Sequence, residues 1–144
     1  MEKENNSTII ADTSGLISLV VDTDHNYSIA QQEADRLIKE RKEIVVINAV
    51  YVEFLNVLGK SFNHKQAVEL ASALLTYPFV LLNEPQEIPT SGALEKFTSL
   101  PQSVSLTDCL VMAAADAYFT KDVFGFDKQF ADAGYTRLTP STEW

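Results

Sequence analysis

Four short apolar runs decide what this chain can fold into: Thr8-Ile9-Ile10-Ala11, Ile44-Val45-Val46-Ile47, Phe79-Val80-Leu81-Leu82 and Val123-Phe124-Gly125-Phe126. None alternates apolar with polar residues, so each predicts a strand covered on both faces. The stretches between them have helical character. Residues 16–21 read as a short helix after the tight exit Thr13-Ser14-Gly15. Over residues 29–42, Ile29, Ala30, Ala34, Leu37 and Ile38 fall at helical spacing with charge on the other face. Asn48 is placed to cap a helix over 49–59 that Gly59 would close, and Asn63 to cap one over 64–75. Pro85 and Pro89 bracket a loop before a helix over 92–100, which Pro101 ends. A helix over 128–133 and a strand over 136–138 complete the order β-α-α-β-α-α-β-α-α-β-α-β. Strands that alternate with helices and are covered on both sides predict a three-layer α/β/α protein with a mainly parallel central sheet.

At 144 residues the chain suits one domain, read as residues 8–140 behind a polar tail over 1–7. No apolar run approaches the ~20 residues needed to cross a bilayer. The start, MEKENNST, is unlike a signal peptide. A single Cys109 allows no internal disulfide, which fits a reducing cytoplasm. His25 and His64 are too far apart in sequence to suggest zinc. The net charge of −9 argues against broad nucleic-acid binding, which rests on Lys and Arg. It suits an acidic surface, a basic partner or carboxylates kept for cations.

The acids sit where ligands bind in open α/β sheets, beyond strand C-termini and at helix N-termini. Asp12 ends the first strand. Asp108 is the acidic half of a capping box with Ser105 at the start of an apolar helix. Asp127 follows the Val123–Phe126 run. Each has an ordinary reading as a turn or cap residue, favoured by the helix dipole. Glu53 resists one, because it sits among Val52, Phe54 and Leu55 with no basic residue within a helical turn. Two like charges about 4 Å apart at an effective dielectric near 20 cost about 4 kcal/mol. A bound Mg²⁺ or Mn²⁺, which prefers oxygen ligands, removes that penalty.

Ala11-Asp12-Thr13-Ser14-Gly15-Leu16, Tyr51-Val52-Glu53-Phe54-Leu55, Ser105-Leu106-Thr107-Asp108-Cys109-Leu110 and Gly125-Phe126-Asp127-Lys128-Gln129-Phe130 together resemble the four acidic motifs of PIN-domain nucleases. The resemblance is closest to the VapC-like toxins of bacterial toxin–antitoxin systems and spans residues 8–138. It implies Asp12, Glu53, Asp108 and Asp127 as catalytic, metal-binding acids, with Ser14 as a helper near metal or phosphate. Gly125 departs from the Thr or Ser often found there. The resemblance further implies Mg²⁺- or Mn²⁺-dependent hydrolysis of RNA, a cognate antitoxin, a homodimer and no membrane association. Given the acidic charge, generic RNA is expected to be cleaved weakly, or with help from a patch such as Lys121 and Lys128. The alternatives are a catalytically weak PIN scaffold that binds a protein, or an RNA-processing nuclease that is no toxin. A phosphatase using Asp12 as nucleophile lacks the second Asp such enzymes need, since Ser14 stands there. A receiver domain finds no phosphoacceptor at Asn83-Glu84.

Asp22, Asp24, Asn26 and Glu33 nearly spell a calcium loop, but Tyr27 stands where that loop needs Gly, and a polar loop ahead of a helix is preferred. Asp116 and Asp122 lie close to the third and fourth motifs; Asp116 is read as an ordinary helix-end residue. His25 and His64 are read as surface residues and Cys109 as core.

Overall fold

The computed structural model describes residues 7–82 and 90–139. Residues 1–6 of the expected tail over 1–7 and the Pro85–Pro89 loop lie outside the described residues.

Each of the four apolar runs forms a strand. Strand β1 (Thr8–Ala11) is buried along its whole length, β2 (Glu43–Val46) after its first residue, and β4 (Val123–Phe124) at both positions. Strand β3 (Val80–Leu82) has Leu81 and Leu82 exposed, as its place at the sheet edge allows. The strands are all parallel, in the order β3-β2-β1-β4. The chain therefore steps outward from β1 to β2 and β3, then crosses back to lay β4 on the other side of β1. That reversal opens a crevice at the carboxyl ends of β1 and β4.

The helices are α1 (Thr13–Val20), α2 (Tyr27–Lys39), α3 (Asn48–Ser61), α4 (His64–Leu74), α5 (Thr90–Ser99), α6 (Leu106–Ala117) and α7 (Lys128–Asp132). Helices α1, α2 and α4 form one packed group and α5 with α6 another, while α3 touches both. Ile9, Ile10, Ile44, Leu16, Leu19, Leu37, Phe54, Leu58, Phe124 and Phe130 are fully buried between these layers. Burying a side chain of this size stabilises by about 1.5–3 kcal/mol.

Several boundaries differ from expectation for local reasons. Helix α1 starts at Thr13 because Asp12 caps it, accepting the Ser14 amide at 3.4 Å. Gly15 is then inside the helix, where it meets β4: a Cβ there would stand 2.0 Å from the Phe124 carbonyl oxygen. Asn48 is the first residue of α3, and the capping position falls on Ile47, with no side-chain hydrogen bond. Gly59 does not end α3, which continues to Ser61. The strand expected over 136–138 makes one parallel bridge, Thr136 to Asp122. Beyond it the Leu138 amide still reaches the Gly125 carbonyl at 2.8 Å. With β4 only two residues long, the ladder has little to extend along.

Candidate active site

The crevice beside β1 and β4 holds a cleft of about 390 Å³ lined by all four predicted acids, Asp12, Glu53, Asp108 and Asp127. Asp12 leaves β1 and Asp127 comes three residues after β4 ends, so the strand order itself brings them together. Asp108 arrives on the first turn of α6 and Glu53 on α3. Asp12, Asp108 and Asp127 each offer a carboxylate oxygen within 4.8 Å of the others'. Glu53 lines the cleft but lies outside that group of three.

Two of the acids do the ordinary work their positions suggested. Asp12 caps α1, and Asp108 forms a reciprocal capping box: its amide donates to Ser105 Oγ at 3.1 Å and its Oδ2 accepts the Ser105 amide at 3.1 Å. Asp127 occupies the capping position of α7, yet its side chain makes no capping hydrogen bond. Capping and convergence on the cleft are therefore compatible for Asp12 and Asp108.

Burial sets the electrostatics. Asp12 is 3% exposed and Asp108 6%, so neither carboxylate is well hydrated. Burial pushes the Asp12 carboxyl up to about 7; the Ser14 hydrogen bond opposes the rise, and Asp127 and Asp108 add to it. Asp127 is also raised, first by burial and then by Asp108 and Glu53, with Arg137 opposing. Close carboxylates cannot all ionise without a counter-charge.

Ser14 ties the first and fourth motifs together. Its hydroxyl donates to Asp12 Oδ2 at 2.9 Å and accepts the Phe126 amide at 3.0 Å. Gly125 is pressed against the same pair: a Cβ would lie 2.7 Å from Asp12 Cβ and 3.2 Å from Ser14 Oγ. A side chain at 125 would crowd this pair, and Ser14 supplies the hydrogen bonds there.

The residues present fit a hard divalent cation. Asp12, Asp108 and Asp127 offer an all-oxygen donor set and could hold one metal ion between them. Thr13, in the wall of the same cleft, has a buried hydroxyl with no hydrogen-bond partner.

Sequence reasoning did not find several residues of this region. Ser18, Asp24, His25 and Asn26 also line the cleft. There Asp24 Oδ2 accepts Ser18 Oγ at 2.8 Å and the Asn26 amide at 3.0 Å. His25 is exposed, as expected, but it lines the cleft, and among the described residues it is the one lining side chain able to carry positive charge. Arg137 donates to the Phe126 carbonyl at 2.7 Å. Gln129 donates to Asp108 Oδ2 at 2.7 Å. Gln129 lies inside the fourth motif and Asp24 and Asn26 inside the calcium-loop near-match, but nothing local shows their relation to the site, which only the fold brings about.

The near-match to a calcium loop is used otherwise: Asp24 is engaged as described, and Glu33 pairs with Arg36 at 2.6 Å. Asp116 is held by Lys96 and by the Tyr135 hydroxyl, each at 2.8 Å. Neither Asp116 nor Asp122 lines the cleft. The same is true of Lys121 and Lys128, and Lys121 sits 5.0 Å from the centre of the Tyr135 ring.

A search of curated protein sequences gave no match. Among solved structures, Mycobacterium tuberculosis VapC20, a sarcin-ricin loop cleaving toxin, is similar in fold. The TM-score is 0.73 at 22% identity, over 89% of this chain and 96% of that one. The family model for the PIN domain matches residues 9–134, and with that span covering all four acids this chain belongs to the PIN domain family.

Proposed function

We propose that this protein is a metal-dependent endoribonuclease that hydrolyses RNA phosphodiesters, and that it serves as the toxin of a toxin–antitoxin pair. The observation that carries the reading is the meeting of Asp12, Asp108 and Asp127 within 4.8 Å at the sheet's reversal point. A divalent ion held by these residues, Mg²⁺ or Mn²⁺, would supply activation of a water and stabilisation of the leaving oxygen. The protein's own share is to fix the donors. Ser14 orients Asp12, the Ser105 backbone amide orients the Asp108 carboxylate, and Asp127 is left uncommitted by α7. Glu53 stands on the cleft wall as a fourth acid, able to bind a cation directly or through water.

RNA as substrate is supported by membership of the PIN family and by the likeness in fold to a toxin that cleaves the sarcin-ricin loop. Among the described residues the cleft lining has no Lys or Arg, so sequence-blind RNA binding is expected to be weak and cleavage selective. An antitoxin carrying a basic segment would complement the acidic cleft. A homodimer and a cytoplasmic location complete the proposal; no helix among the described residues is long and apolar enough to cross a membrane.

The test is cleavage of a mixed pool of structured RNAs with Mg²⁺, Mn²⁺ or EDTA, comparing the protein with Asp12→Asn and Asp108→Asn. Metal-dependent cleavage lost in both folded variants is the expected result. No cleavage and no metal-dependent rise in melting temperature would overturn the proposal.

A further inference from the structure

Asp108 is held from two directions. Its Oδ2 accepts the Ser105 amide at 3.1 Å, from its own helix cap, and Gln129 Nε2 at 2.7 Å, from α7. Both donors fall on the same oxygen. Among the described residues no hydrogen bond reaches Oδ1, and Asp108 lines the cleft. Asp12 follows the same rule, with the Ser14 amide and hydroxyl both on Oδ2. Ser14 and Gln129 both lie inside the motif stretches, but only Ser14 is given a role there by the resemblance.

From this geometry we infer that Gln129 is a positioning residue that sets the Asp108 carboxylate for cation binding. The inference rests on the metal-dependent reading of the site. Three features support it. Only the amide nitrogen of Gln129 can face a carboxylate oxygen, so the direction of the bond follows from the chemistry. The two donors come from different elements and fix the carboxylate plane, which one donor would leave free to turn. Gln129 also sits two residues after Asp127 on the helix that Asp127 begins. Its bond to Asp108 thus ties α7 to α6 and sets the spacing of two of the three converging acids. A neutral amide does not balance the negative charge, so its effect is on orientation. Hydrogen-bond partners that orient metal-binding side chains typically change affinity by 10–100-fold when removed.

The test uses Mn²⁺ alone as probe, titrated into the full-length protein and followed by calorimetry and by the electron paramagnetic resonance of bound Mn²⁺. Gln129→Met keeps length and removes the donor. Ser105→Ala is the structural control: it removes the hydroxyl that accepts the Asp108 amide but leaves both donors to Oδ2 in place. The expected result is a Mn²⁺ affinity weakened about 10-fold or more in Gln129→Met, with an altered Mn²⁺ spectrum and a melting temperature in EDTA close to that of the parent. Ser105→Ala should lower the melting temperature while keeping affinity within about threefold. Equal Mn²⁺ affinity and spectrum in parent and Gln129→Met would overturn the inference and leave the metal reading intact. Loss of affinity in proportion to loss of melting temperature across both variants would overturn it too, since Gln129 would then act on folding alone. If Gln129→Met does not fold, Gln129→Glu, which keeps the shape but faces Asp108 with a second carboxylate, must weaken Mn²⁺ binding further than Ser105→Ala does. Absence of Mn²⁺ binding by the parent protein would overturn this inference and the metal reading together.

Discussion

Gly125 approaches Asp12 so closely that a Cβ on residue 125 would stand 2.7 Å from Asp12 Cβ and 3.1 Å from its Oδ2. The contact joins the end of β4 to the end of β1, where the candidate site is built. It also reverses a simple expectation, that putting back the hydroxyl often found at this place would improve the site.

Gly125→Ser is therefore expected to impair the protein. The added atoms must push against Asp12, whose Cβ is fixed by the backbone, and overpacking of this kind costs about 1–3 kcal/mol. Melting temperature should fall by several degrees and the rise given by Mn²⁺ should shrink. Unchanged melting with a stronger Mn²⁺ response would contradict this account.

Gly15→Ala should be more severe. Its Cβ would lie 2.0 Å from the Phe124 carbonyl oxygen and 2.6 Å from the carbonyl carbon, both backbone atoms. Helix α1 would have to move off β4, separating Asp12 from Asp127. Loss of about 3 kcal/mol or more is expected, at the upper end for overpacking. Denaturant unfolding of the cation-free protein measures it; a loss below about 1 kcal/mol would mean that the helix shifts easily.

The raised Asp12 carboxyl predicts an unusual pH dependence. Its ordinary value is 3.8 and in the folded protein it stands at about 7. Between those values the folded state holds a proton that the unfolded state has lost. The contribution of Asp12 to stability is therefore fullest below pH 4, falls as pH rises toward 7, and is level above it. The difference amounts to up to about 4 kcal/mol, at 1.36 kcal/mol per pH unit. Asp12→Asn removes this dependence. In EDTA the variant should match or trail the parent at pH 5 and exceed it at pH 8. A cation that displaces the proton should raise the parent's melting temperature more at pH 8 than at pH 5.5. Parallel melting curves for the two proteins across this range would rule out the shift.

Ser14→Ala removes a hydrogen bond that lowers the Asp12 carboxyl and deprives the Phe126 amide of its acceptor. A buried donor left unpaired costs about 1–3 kcal/mol. The pH at which Mn²⁺ begins to bind should also move upward, because Asp12 gives up its proton less readily. Calorimetric titration between pH 5.5 and 8.5 reads this directly, and an unmoved onset would assign Ser14 a purely structural role.

Much of this protein could be read from its residues alone. Doubly covered strands leave a continuous apolar signature, so the runs at 8–11, 44–47, 79–82 and 123–126 marked the parallel sheet with only small errors at their ends. The cap at Asn63 and the capping box at Ser105 were legible because they depend on residues a few positions apart. Gly59 misled, since glycine signals a helix end only where the chain needs its freedom, and here α3 runs through it in open space.

The four acids were visible as motifs, but their convergence was decided by the strand order β3-β2-β1-β4, which places the ends of β1 and β4 side by side. The same long-range packing gave Gly125 and Gly15 their roles, brought Gln129 to Asp108 across 21 residues of sequence, and set His25 in the lining of the cleft. Periodicity and capping are local, acting within a turn or two of the chain, and the sequence carries them openly. Burial, carboxylate repulsion and the second donor on Asp108 arise between residues far apart in the chain, so only the folded structure determines them.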